Sequence, residues 1–186
     1  AALGMWTVTL NLLPVVVMGH LLGGFSVLSC LFILYLRLRN TAGDASKIKQ
    51  APIASAMHEQ DITDLPQAKV FQRNLKLFAF IGLCVLVTQI ALGGWTSANY
   101  AALACTEFPF CEGNWYQNID IPGAFSVPEA ENYEFGAHDY AERMTMHVAH
   151  RLGAIVTFLY LCWLSLKLYS NASSGMIKNQ AVMLVL

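Results

Sequence analysis

The chain has 186 residues, of which 56% are hydrophobic and 12% are charged, against roughly 25% charged in an average soluble domain. The net charge of −1 offers no basic surface for nucleic acid, and the high hydrophobicity excludes a disordered chain. Five cysteines are too few for a disulfide-built secreted scaffold. The composition therefore indicates an integral membrane protein.

The two ends of the sequence predict an internal piece of a longer membrane protein. Residue 1 is alanine, and residues 1–10 are typical of the end of a membrane span without the basic residues of a signal peptide. Residues 181–186 are apolar and are expected to open a further span. A processed chain is the alternative interpretation.

Three segments are long and apolar enough to cross a bilayer, which takes roughly 20 apolar residues in a helix. Helices are expected because backbone groups cannot remain unpaired in lipid, so the fold class is all-α, a polytopic transmembrane helical bundle. The predicted order is the end of one span plus a transmembrane helix (1–36), a linker (37–76), a helix (77–96), a loop (97–142), a helix (143–169), and a turn into the next span (170–186).

Loop charges predict how these helices are oriented. Residues 37–76 hold seven of the eleven basic residues, whereas residues 97–142 hold none. Because Lys and Arg accumulate on the inner side of membranes, the linker should be cytoplasmic and the loop external. His58, within the linker, is expected to be a solvated surface histidine.

Two pairs of short segments are similar and predict a repeated helical unit. Residues 2–7 read ALGMWT, and residues 91–96 read ALGGWT. His20 opens the segment HLLGG, and His150 opens the segment HRLGA. The members of each pair are expected at matching membrane positions, as in other repeat-built membrane proteins.

His20 and His150 are the strongest candidates for chemistry. Each is expected roughly 10 Å inside its helix, where an imidazole is costly unless it finds a partner. A neutral imidazole can ligate a heme iron, and two facing histidines form a b-type heme site. A hydrogen bond to a neighbouring helix is the alternative for each histidine.

The two polar neighbours of His150 have their own alternatives. His147 lies on the same helix face, one turn nearer the outside, either beside a heme propionate or substrate or at the membrane interface. Arg151 is expected to pair with an acid, which could be a heme propionate or a side chain of another helix.

Cys105 and Cys111 lie in the predicted external loop. An oxidising compartment favours a disulfide between them, which would fix a lid over the outer helix ends; a redox-active pair and two free thiols are the alternatives. The other three cysteines fall inside predicted spans and are interpreted as small apolar side chains: Cys30, Cys84 and Cys162.

Three segments together resemble the heme A synthase family in its bacterial form. Residues 13–24 (LPVVVMGHLLGG) resemble its fourth helix, and residues 147–154 (HVAHRLGA) resemble its sixth. Residues 91–100 (ALGGWTSANY), followed by Cys105 and Cys111, resemble its fifth helix and the external loop after it. The resemblance implies a fragment, from the end of helix three to the start of helix seven, of an eight-helix protein built from two four-helix halves.

The resemblance also implies a function and roles for the residues. The whole protein would convert heme O to heme A in the bacterial inner membrane by two successive hydroxylations of a ring methyl. His20 would face the substrate heme O as a catalytic ligand, and His150 would ligate the iron of cofactor heme b with His147 and Arg151 nearby. The cysteine pair would form a disulfide on the periplasmic side. The second ligand of each heme would lie outside this chain, so the fragment alone should be inactive.

The expected partners are heme O and heme A, the lipid bilayer, and heme O synthase together with terminal oxidase assembly. A second copy of the chain is left open, and nucleic acid is excluded. The alternative function is a bis-histidine b-type membrane cytochrome in electron transfer, which would not need a long, acidic, cysteine-bearing loop. A repeat-built transporter, the third interpretation, would have helices broken at mid-membrane.

Overall fold

The structure is a computed structural model that describes residues 2–48, 66–107, 111–171, 178–179 and 182–183. Every regular element in these residues is helical, which confirms the all-α fold class. Three helices are long and apolar enough to cross a membrane. His58 and most of the predicted turn over 170–186 lie outside the described residues.

Within the described residues, five α-helices and two short 3₁₀ turns follow one another along the chain. The predicted linker over 37–76 begins inside α2 and ends inside α3, because both helices continue past their apolar spans. The helices are α1 (Ala2–Thr9), α2 (Pro14–Ile48), α3 (Pro66–Ala98), α4 (Ile121–Ala124) and α5 (Tyr140–Asn171), with 3₁₀ turns at Ala101–Leu103 and Trp115–Gln117.

Local chemistry explains where the helices begin. Pro14 and Pro66 open α2 and α3, where the missing N–H of proline does no harm. At the start of α5, the Asp139 side chain accepts from the backbone N–H of Glu142, and the Glu142 side chain accepts from that of Asp139. This reciprocal capping satisfies two of the N–H groups that a helix start leaves unpaired.

The turn between α1 and α2 is tight and left-handed. Asn11 and Leu12 have φ angles of 49° and 63°, a region that asparagine tolerates and that is costly for leucine. The backbone N–H of Leu12 donates to the Thr7 carbonyl at 2.9 Å. The turn brings the start of α2 back beside α1.

The chain forms two compact units. The first comprises residues 1–23 and 82–186, and the second comprises residues 24–81. In the described part of the second unit, apolar side chains of α2 such as Phe25, Leu28 and Leu31 are exposed. A soluble helix would hide such side chains, whereas a lipid-facing or bundle-facing helix presents them.

Within the first unit, the loop between α3 and α5 packs on the helix ends. The Trp95 indole N–H donates to the Ala124 carbonyl at 2.8 Å. Tyr133 donates its backbone N–H to the Asn11 carbonyl at 3.1 Å, and the Asn11 side-chain amide donates to the Glu131 carbonyl at 3.0 Å. The loop therefore covers the end of α3 and also the turn between α1 and α2.

Candidate functional site

Each candidate histidine lies against a glycine of another helix: His20 of α2 against Gly4 of α1, and His150 of α5 against Gly93 of α3. A methyl group added at Gly4 would lie 3.3 Å from Cε1 of His20, and one added at Gly93 would lie 2.9 Å from Cε1 of His150. The two glycines occupy the same position in the similar segments 2–7 and 91–96. The sequence similarity thus corresponds to one repeated contact, a histidine ring on a glycine.

The two histidine–glycine pairs are joined where α2 meets α3. A methyl group added at Gly94, next to Gly93, would lie 2.6 Å from the Met18 sulfur and 2.6 Å from a methyl carbon of Leu21. Such distances are far below van der Waals contact, so a methyl group at Gly94 would force the Met18 and Leu21 side chains to shift. Met18 and Leu21, which lie on either side of His20 along the chain, therefore pack at Gly94, next to the Gly93 that contacts His150.

Gln89 holds His150 from α3. Its side-chain nitrogen donates to the backbone carbonyl of His150 at 3.0 Å and lies 3.0 Å from Nδ1 of the ring. The side-chain oxygen is buried and has no hydrogen-bond partner among the residues that the structure describes. It lies against Gly153, where a methyl group would collide with it. The ring is thus held at Nδ1, which leaves Nε2 for another contact.

His147 is tied to the loop that follows α3. Its Nδ1 lies 3.0 Å from the carbonyl oxygen of Ala101. A carbonyl oxygen can only accept, so this nitrogen carries the proton of the hydrogen bond. The sequence predicts His147 either as a heme neighbour or as an interfacial residue, and its contact with the loop between α3 and α5 is compatible with both.

Arg151 reaches the cysteine loop. Its guanidinium donates to the Cys105 sulfur at 3.0 Å, to the Cys105 carbonyl at 3.0 Å and to the Glu107 carbonyl at 2.8 Å. The sequence predicted an acid or a heme propionate as partner. In the described residues, the fork of guanidinium donors fastens the loop to the residue that follows His150.

Cys105 and Cys111 form a disulfide, as the sequence predicted. Both cysteines are buried with Met144, and Trp115 and Val148 pack against them. The disulfide therefore packs against the first turns of α5, which contribute Met144 and Val148. The free cysteines of the spans are exposed or partly buried.

One end of α5 thus collects several of the predicted residues. His147, His150 and the Arg151-bound disulfide share it, whereas His20 belongs to the α1–α2 pair and its side chain is exposed. No hydrogen bond to the His20 ring is found within the described part of the chain. One histidine is therefore held by its surroundings and the other is open.

The residues at His150 fit a heme iron better than a metal held by protein ligands alone. In the described ranges, no group of three or more His, Cys, Asp or Glu side chains could hold a metal ion. The His150 imidazole could serve as one ligand of a heme iron, for which the macrocycle would supply the ring nitrogens.

The sequence analysis missed two features of this region. Gln89 lies inside the predicted span over 77–96, and its position one turn before Gly93 is the available signal. His138 was not considered. Its buried ring lies with Nδ1 2.8 Å from a Glu142 carboxylate oxygen, at the start of α5, and the His-x-x-x-Glu spacing could have indicated this pair.

Comparisons with known proteins give a consistent picture. The family model described as cytochrome oxidase assembly protein matches residues 1–186. A protein named heme A synthase from Shewanella oneidensis is 48% identical over 170 residues, which cover 90% of this chain and 45% of that protein. The chain therefore spans about half the length of this curated relative. No solved structure matches the chain.

Proposed function

The chain belongs to the cytochrome oxidase assembly protein family, and on that premise we propose that it is part of a heme A synthase, an oxidoreductase of the membrane. The observation that carries the proposal is His150, seated on Gly93, held at Nδ1 by Gln89 and placed beside the disulfide loop. The similarity to a protein named heme A synthase supports the same substrate.

The two histidines take different roles in this proposal. His150 holds cofactor heme b, which supplies a redox-active iron when bound. His20, the exposed histidine, faces the substrate heme O. His147 and Arg151 lie beside the cofactor, where their bonds to the loop backbone keep the outer wall of the site in place.

The proposed conversion changes one methyl group of heme O into the formyl group of heme A. Each hydroxylation takes one oxygen atom from water and releases two electrons and two protons. The second hydroxylation gives a geminal diol, which loses water to leave the formyl group. The released electrons need an acceptor outside this chain, and heme b, when bound at His150, would supply a redox-active iron for their transfer.

Heme analysis tests the proposed activity. The natural gene that encodes this chain would be co-expressed with a heme O synthase, and the extracted hemes separated and weighed. We expect heme A or its hydroxylated intermediate. Unchanged heme O beside protein-bound heme b would contradict the proposal and favour electron transfer.

Two histidine variants test the assignment of roles. His150→Ala should abolish the bound b-type spectrum, because its iron ligand is gone. His20→Ala should keep that spectrum and stop conversion of heme O. His58→Ala, a histidine of the predicted linker, serves as the control and should keep heme b. A full spectrum in His150→Ala would refute the ligand assignment.

The proposal places the disulfide loop on the periplasmic side of a bacterial inner membrane. The absence of Lys and Arg over 97–142 supports this orientation. With Cys30, Cys84 and Cys162 changed to serine, Leu103→Cys should react with a membrane-impermeant maleimide in intact cells, since Leu103 is 85% exposed. Ser55→Cys in the linker should react only after lysis; the reverse pattern would invert the orientation.

A further inference from the structure

The turn between α1 and α2 has a backbone conformation that its residues do not favour. Asn11 and Leu12 have φ angles of 49° and 63°, and two successive left-handed residues are unusual because most side chains crowd the backbone there. Such a conformation persists where the surrounding contacts hold it. The partners of Asn11 therefore identify what fixes the turn.

Asn11 is bound at its side chain and at its backbone by one segment of the loop between α3 and α5. Its side-chain amide nitrogen donates to the Glu131 carbonyl at 3.0 Å, across 120 residues of sequence. Its own carbonyl accepts the backbone N–H of Tyr133 at 3.1 Å. Both partners are backbone groups, so Asn11 fixes the main chain of the loop.

The segment that Asn11 binds, residues 128–136, is closed on itself, and we call it the strap. Tyr133 is buried, and its hydroxyl donates to the Pro128 carbonyl at 2.8 Å. The Gly136 N–H donates to the Tyr133 carbonyl at 3.0 Å. Gly136 has a φ of 78° and lies so close to the end of α3 that an added methyl would stand 2.8 Å from the Asn99 carbonyl oxygen. The strap therefore joins the end of α3 to the turn at Asn11.

The turn in its place sets how α1 lies on α2. Methyl groups added at Gly19 and Gly23 would lie 3.9 and 3.8 Å from side-chain carbons of Leu3. A methyl group added at Gly4 would lie 3.3 Å from the His20 ring. Within the described residues α1 buries none of its side chains, so its own packing holds it weakly. The turn, and through it the strap, therefore determines where Gly4 stands against the His20 imidazole.

We propose that Asn11 is a positioning residue for His20: by fastening the strap to the turn between α1 and α2, it keeps α1 against α2 and the His20 ring on Gly4. Asn11 acts on His20 only through the turn and Gly4. Its effect on heme O rests on the proposed function, in which His20 faces that substrate. The fastening of the strap does not rest on it and can be measured without heme O.

Two substitutions remove the side-chain donor and keep a residue that tolerates the turn. Asn11→Gly accepts the left-handed conformation at no steric cost, and Asn11→Asp replaces the amide by a carboxylate, which cannot donate. Losing one hydrogen bond should raise the open fraction of the strap about 2- to 12-fold. The rise should be larger in Asn11→Asp, because the new charge lies beside an acidic strap, and salt should reduce this difference. The acidic residues of the strap are Glu129, Glu131 and Glu134.

The protein expressed from its natural gene and purified in detergent with its heme gives three readouts. Cleavage by a glutamate-specific protease, with the fragments identified by mass spectrometry, measures the opening of the strap. The KM and kcat for added heme O report on His20, and heme b per polypeptide reports on the rest of the fold. We expect faster cleavage in the strap and a KM raised by up to the same factor, because a loosely held ring must be ordered when substrate binds. The kcat should change less, and heme b content should stay unchanged.

Asn118→Asp provides the matched control. Asn118 is an exposed asparagine of the same loop, outside the strap, so this substitution makes the same chemical change and adds the same charge. It should leave all three readouts at their wild-type values. If Asn11→Asp does not accumulate in the membrane, Asn11→Gly carries the test, since it leaves the turn without steric strain.

The fastening of the strap and the positioning of His20 can fail separately. Wild-type cleavage of the strap in both Asn11 variants would overturn the fastening. Faster cleavage with an unchanged KM would overturn the positioning of His20, and so would a loss of heme b in parallel with the rise in KM, because that shows a general loosening of the fold. A wild-type protein that converts no heme O would refute the proposed function, and the cleavage rates would then decide for or against the fastening alone.

Discussion

The two histidine–glycine pairs share one contact and differ in everything built around it. His20 lies on Gly4 beside a short turn, and its side chain is exposed. His150 lies on Gly93, is bonded by Gln89 and is followed by Arg151, which carries the disulfide loop. A repeated helix pair can therefore supply two similar imidazoles, and the added partners decide how firmly each is held.

Within the described residues, the difference lies in how many partners hold each ring. Holding a ring before the ligand arrives reduces the entropy that binding must cost, which favours permanent occupancy. An open ring keeps its freedom and binds more weakly. The two pairs thus differ in how rigidly the histidine ring is held. A substitution can reduce that rigidity in one pair and leave the other pair unchanged.

The largest expected effect comes from filling the glycine under the held ring. Gly93→Ala should displace His150, because the new methyl would lie 2.9 Å from Cε1; overpacking of this kind costs roughly 1–3 kcal/mol, or roughly fivefold to over a hundredfold in heme b affinity. Gly4→Ala meets His20 at 3.3 Å and should affect heme b little. Heme content per polypeptide measures both, and equal losses in the two variants would break the comparison.

An intermediate effect is expected from removing the disulfide. The double variant Cys105→Ser, Cys111→Ser opens a small closed loop, which should destabilise the loop by about 2 kcal/mol in the chain-entropy account. A glutamate-specific protease added to right-side-out vesicles should then cut the loop faster. Its cleavage sites are Glu107, which lies between the two cysteines, and Glu112, which directly follows Cys111. An unchanged cleavage rate would show that packing alone holds the loop.

The smallest effect is expected from Arg151→Lys. Lysine keeps the positive charge but not the fork that reaches Cys105 and Glu107, so one or two hydrogen bonds, each worth roughly 0.5–1.5 kcal/mol, are lost. Cleavage of the loop should rise modestly while heme b remains bound. Loss of heme b in Arg151→Lys would instead place the guanidinium on the heme itself, as the sequence first suggested.

The sequence by itself determined the helical class, the membrane spans and the cysteine pair. These follow from local quantities: the length of an apolar run, the positions of Pro14 and Pro66, and two cysteines close together in a loop. The similar segments around Gly4 and Gly93 also predicted a repeat, because two helices with similar local sequences place the same residue types on the same face.

The tertiary structure decided which side chains meet. Nothing in the spacing along the chain places Gln89 against His150, 61 residues away, or Arg151 against Cys105, 46 residues away. From the sequence, Arg151 could pair with an acidic side chain or with a heme propionate, because either group can neutralise a guanidinium inside a membrane protein. Whether such pairs form depends on the distance between two helices. Small residues such as Gly94 and Gly153 permit a short distance, and the folded arrangement of the helices sets its value.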